Sequence, residues 1–500
     1  MPPMLTSRAL RALTFALVAT LLVGAALTAW RLAAGDTLKQ AIKANATLEF
    51  RHLRLGTGLD SWAPMFAALH RQRHQGRMYA DTMELDGCKY QYPPTALLLM
   101  ELLPAYRDAP FACSRDADEW ARVEAGGWPA KPWIDAAARL AVLASMVVSA
   151  LVLQTLLLAA RPGDQAPPPR TFIAMVALAL GLGLTFHPLI WGYELGQVQV
   201  FLNLLVALAI LAQVKRRDAL AGILMGVCCL FKPQYALVLA WVVLRRRWRF
   251  GSAMAGVVAA GLAVAVLKYS IAPHREYLAF LSGLARHGES FWANQTINGL
   301  LHRLLSPASG LEWADWNFAS SAPGMEEPGF PWLRAGFPPE LPWVYGLTLG
   351  SSAFIVLLAL VRRPRAGVHG HDALAATLDF GAFVVASTIA APIAWHHHYG
   401  AFFPLFAVAL AGLLVLEPRS RWAAPALLAS YLLTANALLR ADLLFAHPLT
   451  GLLASNALFG ALLLFAMLLS LRAATQRVPA VASPGAIAPL GRGSINRSVA

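Results

Sequence analysis

The chain has 500 residues, of which 58% are hydrophobic and only 14% charged, with a mean hydropathy of +0.54. Soluble domains carry roughly 25% charged residues, so the composition excludes an ordinary soluble protein. The net charge of +14 does not point to nucleic acid, because the excess is mostly arginine in short clusters between apolar runs, as a positive-inside bias predicts.

The run Leu13–Trp30 carries no charge and follows Arg8 and Arg11. It exceeds the roughly 7–15-residue apolar core of a cleaved signal, so it reads as an uncleaved anchor with a cytoplasmic N-terminus. Residues 34–132 read as one large periplasmic loop. Within it, "TALLLMELLPAY" (95–106) falls short of the about 20 residues that span a bilayer. It is expected to lie on or dip into the outer face. Cys88 and Cys113 share this oxidising loop and are expected to form a disulfide. Cys228 and Cys229, adjacent in an apolar run, read as buried thiols.

Residues 133–160 form the second expected span, and others lie near 171–190, 196–214, 252–272, 341–361, 374–392, 399–416, 422–440 and 450–471. The clusters Lys215–Arg217, Arg245–Arg249, Arg362–Arg365, Arg419–Arg421 and Arg472–Arg477 belong in the cytoplasm. The short connections "WGYELGQ" (191–197) and "IAWHHHYG" (393–400) hold no Lys or Arg and fall on the periplasmic side. Segment 218–244 abuts arginine clusters at both ends and is broken by Pro233. It reads as a helical hairpin with Lys232 at its tip. A single kinked helix is the rival reading, and it would put Arg245–Arg249 outside. Residues 273–340 read as a second large periplasmic loop, and 476–500 as a disordered cytoplasmic tail. The expected fold is therefore an all-α polytopic membrane protein, residues 1–475, with about 10 spanning helices plus the short hairpin.

Polar residues near the outer face are the candidates for chemistry. Asp60 lies in "GTGLDSWAPMF", where a helix N-cap is the plain alternative; Asp81 and Asp86 share its loop. "KYQYPPTALLL" presents Tyr90 and Tyr92 before paired prolines, a rigid lead-in to a short helix. In "WGYELGQVQVFLN", Gln199 and Asn203 are four apart and share a helix face, with Glu194 and Gln197 just above. Lys232 in "LFKPQY" sits deep in an apolar hairpin, costly unless paired or hydrated; an anionic head group would suit it, and Glu194 is the alternative partner. In "FWANQTINGLLHRLL", Asn294, Asn298 and His302 fall on one face if the stretch is helical, with Arg303 beside them. The cluster Trp395, His396, His397 and His398 lacks the i, i+4 spacing of helical zinc sites, so no metal is expected. A histidine there suits general-base work on a hydroxyl.

These pieces, in this order, resemble glycosyltransferase family 87, a set of GT-C integral membrane glycosyltransferases. The matching elements are Asp60, "YQYPP", "LGQVQ", "LFKPQYALVLAWVVLRRRWR", "NQTINGLLHRL" and "APIAWHHHYGAFFPL". Ala394 and His396 depart from the family's Ser-Trp-acid-His-His pattern, and Gln199 stands where asparagine is usual. The resemblance implies a GT-C-like bundle that moves a hexose, most often mannose, from a polyprenyl-phosphate donor at the periplasmic face of a bacterial inner membrane. The acceptor would be a hydroxyl of a lipid-linked or periplasmic glycan, and the transfer a single inverting step without a cofactor. It makes Asp60 and His397 or His398 the candidate bases. Lys232, Arg303 and Gln197 would hold phosphate, Tyr92 and Trp395 would stack on sugar or prenyl, and Asn294 joins the substrate-binding set. A transporter of a lipid or small solute is the rival class, since an intramembrane lysine on a broken hairpin also suits transport.

Overall fold

Backbone groups in lipid must be hydrogen-bonded internally, and the apolar runs meet that demand as helices. The computed structural model describes residues 4–84, 88–103, 128–160, 168–305, 338, 340–361, 372–418, 420–436 and 452–475. Among them the protein is all-helical, and the sole strand-like pairing is a bridge between Asn294 and Trp395. Cys113, Asp86, the Arg362–Arg365 cluster and the 476–500 tail lie outside the described residues. Cys88 is disulfide-bonded, whereas Cys228 and Cys229 are free and buried.

Seven described helices are long and apolar enough to cross a membrane: Leu5–Ala33, Lys131–Ala159, Trp248–Tyr269, Pro342–Leu360, Asp372–Ile389, His396–Leu416 and Asn456–Ala474. An eighth arises if Pro169–Leu184 and His187–Glu194, bent by 62°, count together. The bend falls just before Pro188, which cannot donate to the preceding turn. Two expected spans are shorter than foreseen. Gln199–Val214 starts only after a turn at Gly196, and Ala423–Ala435 runs to the edge of the undescribed 437–451 stretch. The expected short helix at 95–106 is described only as a tight turn and a single helical turn, Pro94–Met100.

Between Asp218 and Trp248 the chain runs out and back. The helix Asp218–Phe231 stops at Lys232, Pro233 opens a 3-10 turn, and Val238–Arg245 returns. Its two ends meet where Arg247 pairs with Asp218 at 2.6 Å. The outgoing helix lies tightly against Trp248–Tyr269 because Gly222 has no side chain: a Cβ there would come within 2.2 Å of the Phe250 carbonyl oxygen.

Several arginines of the connections between helices are paired with acids of other segments. Arg8 pairs with Glu417, and Arg216 approaches Asp372 at 4.0 Å. Deeper in, the buried Asp379 takes Arg245 at 2.7 Å, Arg472 at 2.6 Å and the Trp241 indole N–H at 2.7 Å. The two guanidiniums also donate to carbonyls of Ala359, Leu360 and Val361, so one carboxylate ties four helical segments together. Removing one member of a buried ion cluster strands the others. Asp379→Ala is expected to cost about 3–5 kcal/mol, read as a lower midpoint of unfolding in detergent. A midpoint within error of wild type would show that the cluster carries no such load.

Candidate active site

The site begins with a glycine. Gly196 adopts φ +72°, and a Cβ there would sit 1.8 Å from the Gly58 carbonyl oxygen. Only glycine allows both the left-handed turn and that approach. The segment before Asp60 then lies along the "ELG" turn, with Gly58 N–H donating to Glu194 O at 2.8 Å and Asp60 N–H to Leu195 O at 3.0 Å. This places Asp60 beside Gln197, whose side-chain amide donates to Asp60 Oδ2. The N-cap alternative is not realised: Ser61 occupies that position of the Trp62–Arg73 helix, with no side-chain cap bond.

Gln197 is itself oriented. Its Oε1 accepts from Ser61 Oγ at 2.9 Å and lies 3.1 Å from the Tyr92 hydroxyl. Ser61 Oγ also meets Tyr92 OH at 2.6 Å and accepts from Val198 N–H at 3.0 Å. With two hydroxyls on its oxygen, the amide has its N–H₂ left for the carboxylate. Burial pushes the half-buried Asp60 carboxyl above its usual range. The Gln197 bond and the charges of Lys89 and Lys232 pull it back only in part, and Glu289 adds a further push upward.

Lys232, at the break of the hairpin, faces the same spot. Its Nζ lies 5.1 Å over the Tyr92 ring and 2.7 Å from His398 Nε2. His398 Nδ1 is 3.1 Å from the Trp395 carbonyl oxygen. A carbonyl only accepts, so Nδ1 carries the proton and the Nε2 lone pair faces the ammonium. Both nitrogens of His398 are thereby occupied. Lys232 thus meets His398, whereas Glu194 pairs with His52 at 3.5 Å.

The histidines occupy a 3-10 turn, His396–Phe402. Within it the His397 and His398 rings stack at 4.4 Å, while each of the three histidines meets a different neighbour. His398 meets Lys232, His397 packs between Trp191 and Trp395, and His396 meets His187 and Trp292. Both ring nitrogens of His396 and of His397 lack a protein partner. Gln199 and Asn203 brace this turn: Gln199 donates to Asn203 Oδ1 at 2.8 Å, and Asn203 to His397 O at 3.4 Å.

Glu289 and its partner Lys89, to which the sequence reading gave no role, complete the cluster. Glu289 is fully buried, accepting from Lys89 at 2.6 Å and from the Trp395 indole N–H at 2.5 Å. Asn294 and Arg303, expected to touch substrate, bond to the protein, with Arg303 Nε left without a partner among the described residues. Asn294 precedes the Ile297–Leu305 helix rather than sharing its face; it donates to Glu289 O and Pro392 O and accepts from Ala394 N–H. Arg303 donates to Phe291 O, Asn294 O and Ser455 Oγ. Asn298 holds the Glu289 backbone N–H at 3.0 Å. Asp81 pairs with Arg77, away from the cluster. Among the described residues, no group of three or more His, Cys, Asp or Glu could hold a metal ion.

The bundle defines a multi-pass membrane protein. Residues 90–392 match the description of glycosyltransferase family 87, more than half of the chain. The protein therefore belongs to glycosyltransferase family 87 and is a membrane glycosyltransferase. No curated protein and no solved structure matches it. Tyr92, Gln197, Lys232 and Glu289 fall inside the matched stretch, whereas Asp60 and the three histidines fall outside it and join the site by geometry.

Proposed function

We propose that the protein transfers a hexose, mannose in the simplest case, from a polyprenyl-phosphate donor to a hydroxyl of a lipid-linked or periplasmic glycan. The observation that carries this reading is the meeting of a positioned carboxylate, Asp60, with a cation, Lys232, across the Tyr92 ring. Asp60 takes the proton of the acceptor hydroxyl. The acceptor oxygen bonds to C1 of the sugar as the bond from C1 to the phosphate oxygen breaks, and the electron pair leaves with the phosphate. Lys232, held by His398, stabilises that departing charge. A single displacement inverts C1, and phosphate leaves without strong acid assistance. Tyr92 and Trp395 supply flat rings for the sugar or prenyl. His398, occupied on both nitrogens, acts as a positioning residue for Lys232, leaving Asp60 the favoured base.

The periplasmic face of a bacterial inner membrane is the favoured location. Arg245 and Arg247 lie at the base of the hairpin, at the opposite end from Lys232, the cation that acts on Asp60, as a cytoplasmic turn would. The test is transfer of radiolabel from polyprenyl-phosphate mannose or glucose to endogenous acceptors in membranes, with the anomeric configuration of the product read by NMR. Retained configuration, or no transfer from either donor, would remove this reading.

Asp60 also gives a pH prediction. The carboxylate must be unprotonated to act, and burial has raised its pKa. The acid limb of kcat/KM should therefore lie above the roughly 3.9 of a free aspartate. Gln197→Ala removes a bond to the charged form and should move that limb to higher pH. A pH profile in which the limb is unmoved, or moves down, would contradict the role of Gln197.

A further inference from the structure

Beside the Asp60–Lys232 pair lies a cluster of rings of which this mechanism uses only Trp395. Trp191 is its centre. Trp292 lies 5.4 Å away, His187 5.5 Å, His397 5.7 Å, His396 6.1 Å and Trp395 6.2 Å between ring centroids. Trp191, Trp292 and Trp395 are each half-exposed, whereas His187, His396 and His397 are buried. The floor is fixed: His187 stacks on Trp191 at 19° between ring planes and is held by the buried Glu49 at 2.6 Å.

Two features need a common cause. Interfacial tryptophans often serve as anchors, but these pack on one another and on imidazoles. His396 and His397 then bury four ring nitrogens with no protein hydrogen bond, and leaving such groups unpaired costs about 1–3 kcal/mol each. A prenyl chain would cover the rings yet leave those nitrogens unpaired. A pyranose meets both demands, with an apolar C–H face for the indoles and a rim of hydroxyls for the imidazoles. The cluster also adjoins the donor side, since His397 stacks on His398 at 4.4 Å and Trp395 borders both.

We propose that Trp191 and Trp292, with His396 and His397, form the subsite that holds the saccharide ring of the acceptor. This rests on the glycosyl-transfer reading above, with the donor on the Lys232–His398 side and the acceptor on the Trp191 side of Asp60. The acceptor is thus a glycan whose terminal pyranose packs against the half-exposed indoles.

The test uses the full-length protein in nanodiscs with methyl α-mannoside and methyl α-glucoside as acceptor probes. Saturation-transfer NMR reads sugar binding directly, and transfer from polyprenyl-phosphate mannose reads kinetics. Wild type should pass saturation to the ring protons of at least one probe. Trp191→Ala should raise the acceptor KM about tenfold with the donor KM held within about twofold. Trp191→Phe should restore part of the loss. Trp292→Ala, at the half-exposed edge, should act in the same direction should Trp191→Ala not fold. No saturation of either probe in wild type, unchanged acceptor KM in the variants, or a donor KM rising in step would overturn the subsite. Saturation that depends on Trp191 in a protein that transfers no sugar would keep the subsite and remove the transfer reading.

Discussion

Asp60→Asn is expected to lower kcat by about 10²–10⁴-fold, the usual contribution of a positioned base, with little change in donor KM. The substitution is nearly isosteric. It keeps a side-chain oxygen for the Gln197 amide and the backbone bond from residue 60 to Leu195 O, so the loop should hold its place. What disappears is the proton acceptor. The acid limb of the pH profile, assigned above to Asp60, should disappear with it. His397→Ala and His398→Ala separate the alternatives. His398 spends one nitrogen on Lys232 and the other on Trp395 O, so its loss should weaken donor binding and leave the acid limb in place. If Asp60→Asn kept most of its kcat while His397→Ala abolished it, the base would be the histidine and the assignment here would fall.

The helical character of the bundle was legible because it is written locally, in uncharged runs of nearly bilayer length. The break at Lys232–Pro233 was equally local, since proline ends a helix wherever it stands inside one. Asp60, Gln197, Lys232, Tyr92 and Trp395 stood out because polar or aromatic groups at the edge of apolar runs are costly or conspicuous, and the fold brings all five together. Glu289 gave no such signal. It is one acid in a polar loop, and its meaning lies in Lys89, 200 positions away, and in Trp395. No spacing rule links residues joined only by tertiary contact. Asn294 and Arg303 carried a contact that their sequence pattern did not show. A conspicuous polar side chain in a buried loop can spend most of its donors on nearby backbone carbonyls, because buried carbonyls need donors as much as a ligand does. The helix that was to align Asn294 with His302 begins at Ile297, after the bridge to Trp395 has claimed the chain.

Lys232→Met is the second substitution with a large expected effect. Methionine keeps an unbranched stem that packs at the hairpin break and removes only the charge. Loss of one preorganised donor at a developing negative charge typically costs about 10²–10³-fold in kcat, and donor KM should rise as well, because the phosphate is charged before it leaves. Lys232→Arg should recover only part of the activity. A planar guanidinium cannot reproduce a point charge seated 2.7 Å from His398 Nε2 and over the Tyr92 ring. The variant also divides two roles of the lysine. In a purely structural role, it would anchor the hairpin tip to the histidine turn, and Lys232→Met would lower the unfolding midpoint and kcat together. In the phosphate-holding role, the midpoint stays near wild type, because a desolvated charge has been exchanged for an apolar group. Phosphate analogues such as a polyprenyl phosphonate should then lose affinity in parallel with the donor. A variant with normal donor KM and normal analogue affinity would take the phosphate away from Lys232, and Lys89, the other cation acting on Asp60, would be the group to replace next.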